Sequence, residues 1–417
     1  MTMNMSGVLK RIPVSALIVS LSCSRPQPVV EIATHHWPEG SAVSLIRNGK
    51  VVARSSLFGD HVRMNAPKPG SYHVRVASPE ALASVSPELE VGPGVTAYTL
   101  PLPVMRRRIG TTNLGLGFAA PGSDSVCMRV LETSPTALTS ISLYLGVSEA
   151  AADIIRRAHE KGIEVLLRGD RRGRETKTVL TSMLALSDSA ERYGADGIVI
   201  VPDDSGGYDR RVMATVRTLA AAVHERGMTL SLALVPGEEG RFHPRAFFDS
   251  IPAPECPDDL VLLCSAAGIE KDEIAPVSLS RIENSLIAVM DGRIPLSRIT
   301  VEIALSAFAY RGNGTSNREG VSLVTGAIER ILSEAGSGGA IRLGDGTLIL
   351  GFRGVNYAWD DLAGITRKIA FLRTGEFARV RGVRIVWDGL GVKPDTEGLK
   401  STAAVFDRGE AGGERRR

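Results

Sequence analysis

Carboxylates and aromatic rings recur at the carboxyl ends of apolar runs along this 417-residue chain. Reading those ends gives Arg168-Gly169-Asp170, Pro202-Asp203-Asp204, Pro236-Gly237-Glu238-Glu239, Ser265-Ala266-Ala267, Ser306 to Tyr310, and Trp387-Asp388. Such a set suits chemistry on sugars, where a carboxyl group protonates a glycosidic oxygen and an aromatic face stacks on a pyranose ring. The plain alternative for any one of these carboxylates is a solvated loop residue. Asp203 and Asp204 are sequence neighbours and would point to opposite faces of a strand, so they cannot share one role. No GxSxG, P-loop, HExxH or strand-linked GxGxxG occurs, which removes the common hydrolase, nucleotide and zinc-protease readings. Four cysteines (Cys23, Cys127, Cys256, Cys264) lie far apart with no CxxC or Cys/His cluster. Free thiols are therefore expected, with no metal and no cofactor.

The elements that must position these residues fall into two rhythms. From residue 12 to about 104 the chain reads as short alternating strands, over 14–23, 29–34, 42–47, 50–55, 61–65, 71–77 and 96–102. Asn48-Gly49 between two alternating runs predicts a type I′ hairpin, and Pro67-Lys68-Pro69-Gly70 predicts another tight turn. Seven such strands predict an immunoglobulin-like β-sandwich, without the Cys…Trp…Cys signature of antibody domains. After Met105 apolar strands alternate with amphipathic helices. Strands are expected over 109–118, 140–145, 163–168, 198–201, 229–235, 260–264, 299–305, 347–351 and 383–387. Helices are expected over 148–161, 176–193, 210–226, 279–290, 321–335 and 358–372. Gly162, Gly194 and Gly227 supply left-handed helix ends. Eight or nine strands in βα units predict a closed (β/α)8 TIM barrel, with an open doubly wound sheet as the competitor. The predicted fold class is thus α/β, with the sandwich over 1–104, the barrel over 105–395 and a polar tail over 396–417.

Charge and hydropathy exclude further classes. The formal charge is +3, from 49 basic against 46 acidic side chains, which argues against a dedicated nucleic-acid partner. No stretch reaches the ~18 apolar residues of a membrane span. Lys10 and Arg11 followed by the run to Cys23 superficially resemble a signal sequence with a lipidated cysteine. Val19-Ser20-Leu21-Ser22-Cys23-Ser24 alternates strictly, however, as a half-buried strand does. Synthesis without secretory export is the expectation, and an exported lipoprotein anchored through Cys23 is the alternative.

Tyr193-Gly194-Ala195-Asp196-Gly197-Ile198-Val199-Ile200-Val201-Pro202-Asp203 resembles the fourth-strand motif of glycoside hydrolase family 18, the chitinase-like barrels. His159-Glu160-Lys161-Gly162-Ile163-Glu164-Val165-Leu166 resembles that family's third-strand entry. Ile274-Ala275-Pro276 and Pro295-Leu296-Ser297-Arg298-Ile299 are similar to the lead into its sixth strand. Gly382-Val383-Arg384-Ile385-Val386-Trp387 looks like its last strand, whose tryptophan floors the sugar subsite. The resemblance runs from about Leu131 to Lys393 and is nearest to the spore-germination and cell-wall branch. It implies a substrate-assisted mechanism, in which an aspartate orients the sugar's acetamido group and a glutamate donates the proton.

The departures remove that chemistry. The family motif reads Asp-Gly-x-Asp-x-Asp-x-Glu; here Asp196 and Gly197 stand, but Val199 and Val201 replace the inner aspartates. Asp203 occupies the glutamate position, one methylene short, and a misplacement of about 1 Å costs on the order of 10²-fold. The Tyr-Asp pair expected after the next strand falls on Ala266 and Ala267. What the resemblance leaves is a binding element, Trp387 as sugar platform, unless that ring is an ordinary core tryptophan. Asp388, Tyr310, Asp170 and Glu238 are the candidates to bind hydroxyl groups beside it.

Three functions follow. The leading expectation, leaning away from an enzyme, is a non-catalytic glycosidase-like protein that recognises glycan or serves as a structural module at a cell or virion surface. The second is an active glycosidase on cell-wall or chitin-like polysaccharide, using Asp203 with Asp170 and Glu238. The third is a phage-tail or other surface-assembly component, whose barrel packs against other structural proteins.

Overall fold

Strict alternation of apolar and polar residues builds the first part of the chain. The computed structural model describes residues 28–34, 36–99, 113–118, 123–133, 138–144, 150–170, 176–201, 210–234, 256–264, 277–292, 294–305, 307–311, 321–322, 326–336, 339–387 and 397–404. The strand expected over 14–23, with Cys23, lies outside them, as does most of the expected polar tail over 396–417; its described part, 397–404, is helical instead, because Leu399 and Ala403 bury themselves in the barrel's apolar cluster. Val29–Ala33 pairs antiparallel with His61–Asn65 and parallel with Val95–Thr99. A second sheet orders Lys50–Ser56, Ala42–Arg47, Gly70–Ser78 and Ala81–Val85, with Leu89–Val91 also on Gly70–Ser78. Residues of both sheets, among them Val30, Ile32, Val43, Leu45, Val62, Met64, Val74 and Val76, share one buried apolar core. Period-2 spacing puts each of these pairs on one face of its strand. The Asn48-Gly49 turn takes positive φ at both residues (49° and 67°), as a type I′ hairpin requires.

The βα part closes into an eight-stranded parallel barrel. Its strands, in chain order and in spatial order, are Asn113–Phe118, Leu138–Tyr144, Glu164–Asp170, Gly197–Val201, Thr229–Leu234, Asp259–Leu263, Ile299–Ala304 and Gly382–Trp387. Helices Asp124–Glu132, Ala150–Glu160, Thr176–Tyr193, Arg210–His224, Leu279–Asp291 and Leu362–Leu372 surround it. Leu116, Ile141, Leu167, Ile198 and Leu232 face that outer layer and pack with Ile154, Leu186, Leu219 and Ile365 in one cluster. Gly162, Gly194 and Gly227 take φ of 70°, 81° and 65°, ending their helices in the left-handed conformation.

One expected barrel strand belongs elsewhere. Leu348–Phe352 is not a barrel strand but one arm of a hairpin with Val355–Trp359. The two lie in a five-stranded antiparallel sheet, inserted between the seventh and eighth barrel strands. The turn is Arg353-Gly354, with φ of 50° and 74°. Arginine is a rare first residue for such a turn, and a short apolar run does not by itself distinguish a buried barrel strand from a sheet strand. The helix expected over 321–335 begins only at Ala327, after the strand Val321–Ser322. The helix expected over 358–372 begins at Leu362, because Asp361 caps it by accepting from the Gly364 N–H at 2.7 Å. Ala307, Ile328, Leu350 and Trp359 give the inserted sheet its own core.

The N-terminal sheets dock at the amino-terminal end of the barrel strands through buried polar groups. Arg75 is fully buried and donates to the carbonyl oxygens of Arg226 and Ala195, each at 3.0 Å. Glu191, at the end of Thr176–Tyr193, is also fully buried. It accepts from Arg54 Nε (2.9 and 3.0 Å), from Arg54 Nη2 (2.6 Å) and from the Ser44 hydroxyl. Gly227 permits the closest backbone approach, since a Cβ there would lie 2.4 Å from the Ala77 oxygen.

Burial alone would raise the Glu191 pKa, but the bonds from Arg54 and Ser44 outweigh it and hold the carboxyl below its ordinary value. A depressed carboxyl adds stability above its unfolded pKa and loses it as pH falls through the folded one. Glu191→Gln should therefore destabilise the protein by about 2 kcal/mol near neutral pH, discounted for the half-exposed Arg54. The gap from wild type should shrink below about pH 4, as followed by urea melts across pH. A gap independent of pH would show that the charge of Glu191 contributes nothing.

Candidate functional site

In a parallel barrel, side chains that do not face the helices line the lumen. Ile198 and Ile200 pack in the helix layer, so Gly197, Val199 and Val201 of the fourth strand face inward. Val199 is fully buried and packs with Leu166, Ala233, Val261 and Leu263, and Val201 packs against the same group. This side of the lumen is a small apolar core. The positions aligned with the family's inner aspartates are inside it.

The other side is charged. Both oxygens of Glu302 accept from Arg168 Nη1 at 2.8 Å, and Arg384 Nη1 lies 3.9 Å from the same carboxylate. Burial lowers the Arg384 pKa against the pull of Glu302 and Asp259. Burial raises that of Asp259, against Arg381 and Arg384. Thr300 Oγ1 donates to Asp259 at 3.1 and 3.3 Å. Gly115 on the first strand makes room for Ser140 and Arg384, and Gly117 for Val386 and Ser142. A Cβ on Gly115 would lie 2.7 Å from Ser140 Oγ, and one on Gly117 would lie 2.6 Å from Val386 Cγ2. Beneath lies a polar cavity of about 20 Å³, lined by Glu164, Asp259, Thr300 and Arg384 among others, large enough for about one water. Glu302 is the lumen carboxylate that strand-end reading missed. Its lumen phase on the seventh strand was the available signal, but it lies two residues short of the strand end.

Asp196 has a structural environment. It is fully buried, and its Oδ1 accepts from the Ala83 N–H of the N-terminal sheets at 2.7 Å. Its Oδ2 accepts from the Val165 N–H at 2.8 Å and lies 2.8 Å from His159 Nε2. Gly197 is fixed by packing, because a Cβ there would lie 2.4 Å from the Thr229 oxygen. Both surviving residues of the motif thus hold strands and sheets together.

The sequence-derived site residues separate. Asp203, Asp204, Glu238, Glu239, Asp388 and the pair Ala266-Ala267 lie outside the described residues. Asp170 ends the third strand in register with Val201. Tyr310 does not sit at the end of the seventh barrel strand; it lies on the inserted strand Ala307–Arg311, opposite Asn356, and is 4% exposed. Trp387 is 8% exposed and shares the phase of Val383 and Ile385, which face the helices. It pairs with Phe118, whose ring belongs to the same outer cluster. Val386, between them, takes the lumen position, so the described packing of Trp387 is that of a core residue. Cys127, Cys256 and Cys264 are buried and joined in no disulfide among the described residues, and burial pushes Cys264 up to about 12. Among the described residues no group of His, Cys, Asp and Glu is placed to hold a metal, and no helix is long and apolar enough to cross a membrane.

No protein-family profile and no curated protein sequence matches the chain. Solved structures do. The C-terminal domain of a proposed chitinase from Desulfitobacterium hafniense superposes with a TM-score of 0.57 at 15% identity, covering 72% of this chain and 99% of that one. The spore cortex-lytic enzyme SleL of Bacillus cereus gives 0.53 at 16% identity, covering 77% and 78%. A chitinase from Chromobacterium violaceum gives 0.53 at 14% identity, covering 72% and 99%. The barrel has the fold of the chitinases and spore cortex-lytic enzymes, the group to which the fourth-strand motif pointed.

Two substitutions test these placements. Asp196→Ala strands two backbone N–H groups and one imidazole, and should cost about 3 kcal/mol or more in a denaturant melt. A loss under 1 kcal/mol would contradict the clamp. Trp387→Ala should cost about 3–5 kcal/mol as a core truncation. A near-native melting temperature would instead place the ring at a ligand site.

Proposed function

We propose that the protein recognises glycan without hydrolysing it, through a chitinase-fold barrel that lacks the family's acid machinery. The observation that carries this reading is the inward phase of Val199 and Val201, packed against Leu166, Ala233, Val261 and Leu263. A substrate-assisted cleavage needs a carboxylate there to orient the acetamido group, and an isopropyl group offers no hydrogen bond. Glu302, on the seventh strand, already has both oxygens bound by Arg168. The glycan class is suggested by the fold's neighbours, which are named as chitinases and spore cortex-lytic enzymes. In this reading residues 1–104 form an immunoglobulin-like sandwich and 105–395 the barrel. The sandwich is a docking unit at the barrel's lower end, leaving the mouth to the ligand.

The test is turnover and binding on one preparation. Purified protein should release no product from chitin oligosaccharides or peptidoglycan fragments, while calorimetry with the same ligands should show saturable binding. Hydrolysis that disappears in Asp203→Ala would replace this reading with an active glycosidase. Absence of both binding and turnover would leave the barrel as a scaffold for other structural proteins.

A further inference from the structure

A cavity lies away from the barrel mouth, at the seam between the N-terminal sheets and the barrel helices. It measures about 490 Å³, within the ~300–1,000 Å³ of small-molecule sites, which favour such inter-unit seams. Leu82 and Val85 on one side and Ile155 on the other give it apolar walls. The strand Ala81–Val85 forms its sheet's edge here, but the central Ala83 N–H is taken by Asp196, which discourages addition of a peptide strand.

Its polar groups are unequally satisfied. Arg156 is neutralised by Asp153, at 2.5 Å, and by Glu160. His159 Nε2 faces Asp196. His73 Nδ1 lies 3.1 Å from the Ser86 carbonyl, so that nitrogen is the donor. Arg192 is different. Its guanidinium stacks on Tyr193 at 4.7 Å and reaches the Ser189 hydroxyl at 3.3 Å, and among the described residues no carboxylate pairs with it. An apolar chamber with one uncompensated guanidinium matches an apolar body carrying one anionic head, because a guanidinium binds a carboxylate through paired hydrogen bonds.

We propose that this seam cavity binds a small amphiphilic carboxylate, with Arg192 holding the head group and Leu82, Val85 and Ile155 enclosing the tail. The site is independent of the barrel mouth and of any glycan bound there.

The experiment is calorimetric titration of the full chain with decanoate and with decanol, both below their aggregation limits. Decanoate should bind saturably at one site, and decanol at least tenfold more weakly. Arg192→Gln should weaken decanoate about tenfold, the scale of one lost charge-assisted contact, while Arg192→Lys should retain most of the affinity. Ala152→Trp, on the exposed helix face at the cavity rim, should abolish binding by filling it. Should that variant fail to fold, Ser84→Phe fills the cavity from the opposite wall. Absence of saturable decanoate binding, equal affinity for decanol, or affinity unchanged in both the Arg192→Gln and the filled variants would overturn the proposal.

Discussion

Three buried charged groups at one seam set the terms for the rest of the molecule. An ionised side chain removed from water costs several kcal/mol unless its hydrogen-bonding capacity is met inside. Asp196, Glu191 and Arg75 are all fully buried, and each is met by groups from the other side of the seam. Asp196 takes the Ala83 N–H, Glu191 takes Arg54 and Ser44, and Arg75 caps the carbonyls of Ala195 and Arg226. Those carbonyls belong to helix ends that the barrel's own backbone leaves unpaired. The N-terminal sheets therefore complete the barrel's lower rim. Without them the barrel would expose two carboxylates built for burial and carbonyls lacking donors.

The lumen follows a second constraint, the division between charge and hydrocarbon. Arg168, Glu302, Arg384 and Asp259 come from the third, seventh, eighth and sixth strands, and Gly115 on the first strand leaves room for Arg384. Leu166, Val199, Ala233 and Val261 fill the other side, from strands three to six. Val199 has Arg168 as its neighbour on the third strand, but that guanidinium turns to Glu302, and the groups packed on Val199 are hydrocarbon. The positions where chitinase-type chemistry needs carboxylates are filled here by hydrocarbon.

The barrel was legible because its signals are local. Amphipathic helices, apolar strands and Gly162, Gly194 and Gly227 each report on a few neighbouring residues. The inserted sheet was less so. Leu348–Phe352 is as apolar as a barrel strand, and its true partner is announced only by Arg353-Gly354, a weak turn signal. The seam was illegible for a different reason. Arg75 precedes its acceptor Ala195 by 120 residues, and a lone charge at a helix end, such as Glu191, reads as solvated. Tyr310 and Trp387 were picked by position at strand ends, but position does not specify phase, and phase decides which side of a barrel a ring faces.

The fourth-strand motif shows how a resemblance divides into parts with different physical causes. Its Asp-Gly pair stands at the strand's start, where Asp196 gathers backbone donors from two neighbouring elements and Gly197 lets Thr229 approach. Those demands come from closing and docking the barrel, and apply whether or not a bond is ever broken. The inner positions answer to the lumen, where Val199 satisfies packing and nothing described requires a charge. A motif can therefore remain recognisable through its scaffold half after its chemical half has gone. The informative question for such a barrel is which way each motif residue points and which groups meet it, because an Asp can be a clamp at one phase and a catalyst three residues further on, at the other.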